Sequence, residues 1–165
     1  MNNLPPESGL TQPVPGRSCG TCTLCCKVMG IAALQKAKGT WCSRCRPGQG
    51  CQAYSERPDE CRSFFCLWLV SPELGPEWKP DRSRMVITVS NGGRQLELRC
   101  DPGYPDAWRR QPYHRKIQEW ALAARSRDGS IIVSVGDELT LVAPEGAFPL
   151  GEVQDDNGIA CEVSG

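Results

Sequence analysis

Nine of the chain's eleven cysteines fall between Cys19 and Cys66, within 48 of its 165 residues. Sulfur at this density can bind metal, close disulfides or simply pack, and the spacing helps to separate these uses. Cys19, Cys22 and Cys25 repeat at three-residue intervals, and Cys42 and Cys45 make a further CxxC pair. CxxC turns two thiolates onto a common ion while the intervening backbone N–H groups can point at the sulfurs. Cys51, Cys61 and Cys66 are spaced more widely. Ligation by cysteine alone suits Zn2+ or an iron–sulfur cluster, since both favour tetrahedral sulfur at the metal, and spacing does not separate the two.

The adjacent Cys25 and Cys26 set a narrower problem. Side chains on neighbouring alpha carbons point in different directions, so the pair serves two centres, or one centre and the core. Two four-thiolate sites need eight ligands and the block offers nine; a binuclear site with a bridging thiolate needs fewer. The plainer alternative is that Cys26 is a buried, inert small hydrophobe.

The compartment decides how the thiols are read. The opening MNNLPPESGLTQPVPG has no basic stretch followed by an apolar one, so it does not read as a secretory signal. No apolar run approaches the length of a membrane span. A cytoplasmic chain keeps its thiols reduced, and an odd number of cysteines does not suit a complete disulfide framework. Metal is therefore the favoured use. Lys and Arg balance Asp and Glu at 19 each, which removes any general pull toward nucleic acid or anionic membrane. The balance hides a surplus of five positive charges between Arg17 and Trp68 and a deficit of four beyond. A basic background offsets the charge of metal-bound thiolates, though a solvated basic surface accounts for it as simply.

CGTCTLCC at residues 19–26, followed by GCQAYSERPDECRSFFC at residues 50–66, resembles the YkgJ-type CxxCxxCC family, whose members are described as zinc- or iron-chelating proteins. The second family pattern, CxxYxxRPxxCRxF, is met here by Cys51, Tyr54, Arg57, Pro58, Cys61, Arg62 and Phe64. Many relatives carry glycine where this chain has Thr23, and Cys42, Cys45 and Cys66 are less general in the family. The resemblance covers about a third of the chain. It implies a bacterial, cytoplasmic metal-binding protein and supplies no substrate. It also gives Arg57 and Arg62 a place beside the metal, where guanidiniums can donate to sulfur and adjust its potential; ordinary turn and helix-surface roles are the alternative. The CxxCxxC run is similar to ferredoxin ligation too, but lacks the closing Cys-Pro.

These residues must be positioned by local structure. Proline-rich residues 1–17 read as a disordered arm and 18–70 as a cysteine-rich metal-binding module of short helices and loops. Val28, Ile31, Ala32 and Leu34 sit at helical spacing, and Pro58 opens a helix carrying Cys61, Phe64, Phe65 and Trp68. Residues 71–81, with three prolines, read as a connector. In 82–155, RMVITVS and RQLELRC alternate around Asn91-Gly92-Gly93, and SIIVSV and ELTLVAP around Gly136-Asp137, which predicts two hairpins. Between them Ile117, Trp120, Ala121 and Ala124 form a helical stripe beginning near Pro112. The expected fold is α+β, with a small antiparallel sheet and one helix in the order β-β-α-β-β, a short extra strand near Phe148, and a tail at 156–165.

His114, the only histidine, and the isolated Cys100 and Cys161 are set apart from the block. No phosphate-binding glycine loop or nucleophile elbow is present. The reading is a metal-binding protein holding Zn2+ or an iron–sulfur cluster, with two metal centres as one arrangement and an unidentified protein partner as an open possibility. An iron–sulfur electron-transfer protein or oxidoreductase component ranks second. A zinc module for nucleic acid ranks last, because Trp41, Tyr54 and Trp68 suit a core and the chain is neutral.

Overall fold

A computed structural model describes residues 12–152. Residues 1–11 of the expected arm, the expected tail and Cys161 lie outside the described residues. Helix α1 (Leu24–Val28) carries the doubled cysteine. Five residues cannot hold a helix on backbone bonds alone, so packing of Leu24 and Val28 on Val86 secures it. The predicted helical run does not continue. Met29 is extended, Ala32–Leu34 form a single 3-10 turn, and Gln35 closes it at φ 49°. The ammonium of Lys36 is the reason: it donates to the carbonyls of Lys27 (3.2 Å), Ala37 (3.1 Å) and Met29. A turn satisfied this way needs no further helix to use its carbonyls.

Strands β1 (Cys45–Arg46) and β2 (Gly50–Cys51) form a minimal antiparallel ribbon that sets Cys45 opposite Cys51. Gly48 (φ 72°) and Gly50 (φ 107°) turn it, in backbone regions that other residues rarely adopt. Helix α2 (Asp59–Ser63) starts at Pro58, with Asp59 and Glu60 in its first turn. The longer helix expected here is broken. Phe64 is extended, and a separate α3 (Leu67–Val70) follows Cys66. All four residues of α3 are buried; one continuous helix would have spread them around its circumference.

Residues 12–17 depart from the disordered reading. Val14 N–H donates to Leu69 O at 2.8 Å, and the Arg17 guanidinium spans the carbonyls of Trp68, Ser71 (2.8 Å) and Leu74 (2.6 Å). A planar fork can serve several carbonyls at the end of α3 at once, which a single ammonium cannot. Arg17→Ala is expected to cost about 2 kcal/mol in urea unfolding, with Arg17→Lys recovering under half of it.

The proline-rich segment is likewise more than a connector. Leu74 and Trp78 are buried, and the Trp78 ring centroid lies 5.0 Å from those of both Tyr113 and Trp120. Prolines 76 and 80 each open a helical turn, Pro76–Trp78 and α4 (Pro80–Ser83), where a missing N–H costs nothing.

The sheet contains β3 (Met85–Ser90), β4 (Gln95–Cys100), β5 (Ser130–Val135), β6 (Glu138–Ala143) and β7 (Gly146–Glu152) in that spatial order. Asn91, Gly92 and Gly93 all take positive φ in the first hairpin. The mixed α+β class matches the sequence reading. The sheet is not wholly antiparallel, however: β4 and β5 pair parallel, Leu96 opposite Ile131. Helix α5 (Tyr113–Arg125) makes the crossover that a parallel neighbour requires. Its stripe of Ile117, Trp120, Ala121 and Ala124 lies in the main core with Leu96, Leu98, Ile131 and Val133. The cysteine block shares this core through α3. From the opposite face of β3, Val86 reaches α1, and Lys27 pairs with buried Asp101 at 2.6 Å.

Candidate metal centre

The block's thiols are brought together by very short elements joined through tight turns. Cys22 N–H donates to Cys19 O at 2.8 Å, making a tight turn before α1. Cys25 and Cys26 follow on α1 itself; neighbouring positions lie about 100° apart around a helix axis, yet the two thiols do not face apart as their adjacency suggested, but hydrogen-bond each other. Cys42 N–H donates to Cys26 O (3.0 Å) and Cys45 N–H to Cys42 O (3.1 Å), and the ribbon then carries Cys51 back beside Cys45. Cys61 lies on α2, and Cys66 precedes α3. The result is one cavity of about 470 Å³ lined by every block cysteine except Cys45.

Cys45 stands just behind this lining, with its thiol in hydrogen-bonding reach of Cys26 and Thr23. Cys100 is in the sheet core, away from the cavity, and so is the region of His114 on α5. Among the described residues no three Cys, His, Asp or Glu side chains already stand at metal-ligand geometry. The thiols share a space without closing on one point.

Other features of the cavity do fit metal-bound sulfur. The Cys22 sulfur is met by the backbone N–H groups of Leu24 and Asp81, and the Cys66 sulfur by those of Leu69 and Trp68. Donors aimed at sulfur favour thiolate over thiol. Trp68 also lines the cavity, and its buried indole N–H has no partner among the described residues. An all-sulfur donor set with N–H groups directed at it matches the needs of zinc or an iron–sulfur cluster.

Cations stand around the thiols. Arg57 lines the cavity, stacks its guanidinium 3.6 Å from the Tyr54 ring centroid and donates to Tyr54 O at 3.0 Å. Burial pushes the Cys19 and Cys61 thiols up, and the Arg57 charge opposes this. Arg62 is placed differently. It donates to Arg57 O (2.9 Å) and Ser55 O (2.9 Å), so it braces the turn that holds Arg57 and does not line the cavity. Sequence reasoning missed Lys36, whose charge acts on Cys26, and Lys79, whose charge acts on Cys19 and Cys22. The basic surplus of the block hinted at Lys36; Lys79 lies in the segment read as a connector.

Without metal, Cys19, Cys22, Cys26, Cys45, Cys61 and Cys66 hold their protons more tightly than an ordinary thiol. The Cys26 thiol is pushed up, first by its hydrogen bond with Cys25 and then by burial. Burial takes Cys66 up to about 11, and both Cys45 and Cys100 up to about 12. A group that binds its proton more tightly when folded stabilises the fold below its unfolded pKa and loses that contribution as pH rises through the folded value. Metal-free chain is therefore expected to lose stability progressively from about pH 9 to about pH 12, as urea midpoints across that range would show. A midpoint unchanged over this range would contradict the burial of these thiols.

No family model, curated protein or solved structure matches this chain. Among the described residues no helix is long and apolar enough to cross a membrane.

Proposed function

We propose that this chain is a cytoplasmic metal-binding protein that holds Zn2+ or an iron–sulfur cluster in its cysteine block, as its likeness to YkgJ-type proteins implies. The observation that carries this reading is the convergence of eight thiols on one cavity, two of them already met by paired backbone N–H donors. Bound metal would supply a fixed charge and cross-links between α1, the ribbon, α2 and α3. The chain's own residues would supply the thiolates, the donors at Cys22 and Cys66, and the countercharges of Arg57, Lys36 and Lys79. Binding displaces the thiol protons, so affinity rises with pH.

Electron transfer through an iron–sulfur cluster is the second reading. It is favoured by cavity size, since about 470 Å³ falls within the cofactor range and exceeds what one ion needs. Anaerobic purification followed by metal and sulfide analysis tests both. Colourless protein with stoichiometric zinc would remove the redox reading, whereas iron, sulfide and broad visible absorption would select it. Metal-free protein with its cysteines paired as disulfides would remove both.

A further inference from the structure

Between α1 and Cys42 the chain makes a small closed loop that forms part of the cavity wall. Ile31 N–H donates to Lys36 O (3.0 Å) and Lys36 N–H to Ile31 O (3.1 Å), while the Lys36 ammonium gathers the carbonyls of Lys27, Met29 and Ala37. Residues 31–36 are thereby braced as one body. Ile31 and Leu34 line the cavity, as do Met29 and Gly30 just before them. Helix α2 brings Glu60 and Cys61 to the same cavity. The Glu60 carboxylate reaches from α2 to the loop: Oε2 accepts from Ala32 N–H at 3.1 Å and Oε1 from Ala33 N–H at 2.9 Å. Those two amides open the Ala32–Leu34 turn and have no partner within it, so a charged acceptor from a distant element satisfies both.

We propose that residues 31–36 are a strap over the thiol cavity, latched shut by Glu60, and that metal ions reach and leave the thiols when it opens. The strap follows from the cavity's geometry; metal as its traffic rests on the metal-binding reading. Both bonds to the strap end on one carboxylate, so a single turn of the Glu60 side chain frees both. Ala32, Ala33 and Glu60 are exposed, so water can replace each bond and the net cost of opening is small. The bonds that brace the strap lie within residues 27–37, so it swings without unravelling. Cys25 and Cys26 lie just before the strap and Cys42 lies after it, all three on the cavity wall.

Thiol reaction rates in the reduced, metal-free full chain provide the test, read by peptide mapping after timed exposure to a bulky maleimide. Glu60→Gln leaves one carbonyl oxygen to accept and turns an NH2 group toward the second amide. Cys25 and Cys26 are therefore expected to react about tenfold faster than in wild type. Cys100, in the sheet core, is the internal reference and should not change. Asp59→Asn removes the neighbouring carboxylate of the same first turn and should leave the rates at wild type. In the zinc-loaded chain, Glu60→Gln should release zinc to a chelator about tenfold faster, with zinc per chain unchanged. Unchanged Cys25 and Cys26 rates in Glu60→Gln, or an equal rise in Asp59→Asn, would overturn the latch. Faster thiols with unchanged zinc release would overturn the strap as the metal's route. If Glu60→Gln does not fold, hydrogen exchange of the wild type decides: slow exchange at Ala32 and Ala33 N–H supports the latch, and exchange at free-peptide rates overturns it. A chain that takes no zinc yet shows the faster thiols keeps its strap, and the metal-binding reading alone fails.

Discussion

Chelation of the metal-loaded chain is expected to lower its melting temperature by about 8–16 °C. The size follows from linkage. A metal present at about a thousand times its dissociation constant stabilises the folded state by about 4 kcal/mol, and each kcal/mol moves a chain of this length by about 2–4 °C. The cysteine block gives reason to expect the loss to fall there. Its helices α1, α2 and α3 have five, five and four residues, and its ribbon has only two residues per strand, so none is stable alone. Among its cysteine-bearing elements, α1 reaches the sheet through Leu24 and Val28 on Val86. Calorimetry with and without chelator gives the shift. Hydrogen exchange should show protection lost first across residues 19–66 and retained in β3–β5. An unchanged melting temperature for chain that demonstrably held metal would make the metal a passenger rather than part of the fold.

The second large effect is expected at Trp78. Trp78→Ala should cost about 3–5 kcal/mol in urea unfolding, the range for truncating a buried aromatic. Its ring is 4% exposed and wedged against both Tyr113 and Trp120, while Tyr113 Oη donates to Glu77 O at 2.9 Å in the same turn. A true connector residue would cost little. Trp78 also leads directly into Lys79 and α4, whose Asp81 N–H is directed at the Cys22 sulfur. Zinc release from Trp78→Ala is therefore expected to be faster than from wild type. Trp78→Phe, which keeps a ring there, should lose less than half as much stability. A cost below about 1 kcal/mol for Trp78→Ala would show that the segment is peripheral.

Trp78 also illustrates where sequence reading stops. Three prolines in SPELGPEWKPD are a sound sign of interrupted secondary structure, and the segment does consist of single turns. Whether those turns lie on the surface or in the core depends on Trp120 and Tyr113, more than thirty residues away. The same limit applies at the candidate site. Arg57 and Arg62 are equivalent in the motif, yet one lines the cavity and the other braces a turn. Lys36 and Lys79 act on the thiols through charge only once the chain is folded; the basic surplus of the block pointed toward Lys36, and nothing local pointed to Lys79.

What the sequence determined by itself is what short-range physics decides. Periodicity placed α5 and its buried stripe, and Asn91-Gly92-Gly93 turned the first hairpin; the expected divergence of Cys25 and Cys26 did not follow, since their thiols hydrogen-bond each other. The type and crowding of the cysteines also limited the chemistry to that of sulfur. Tertiary structure alone decided the parallel pairing of β4 with β5, the burial of the proline segment, the placing of Cys100 in the sheet core, and the grouping of the block thiols on one cavity. These depend on which distant surfaces bury each other, and that choice is made by packing across the whole chain rather than by any one stretch of it.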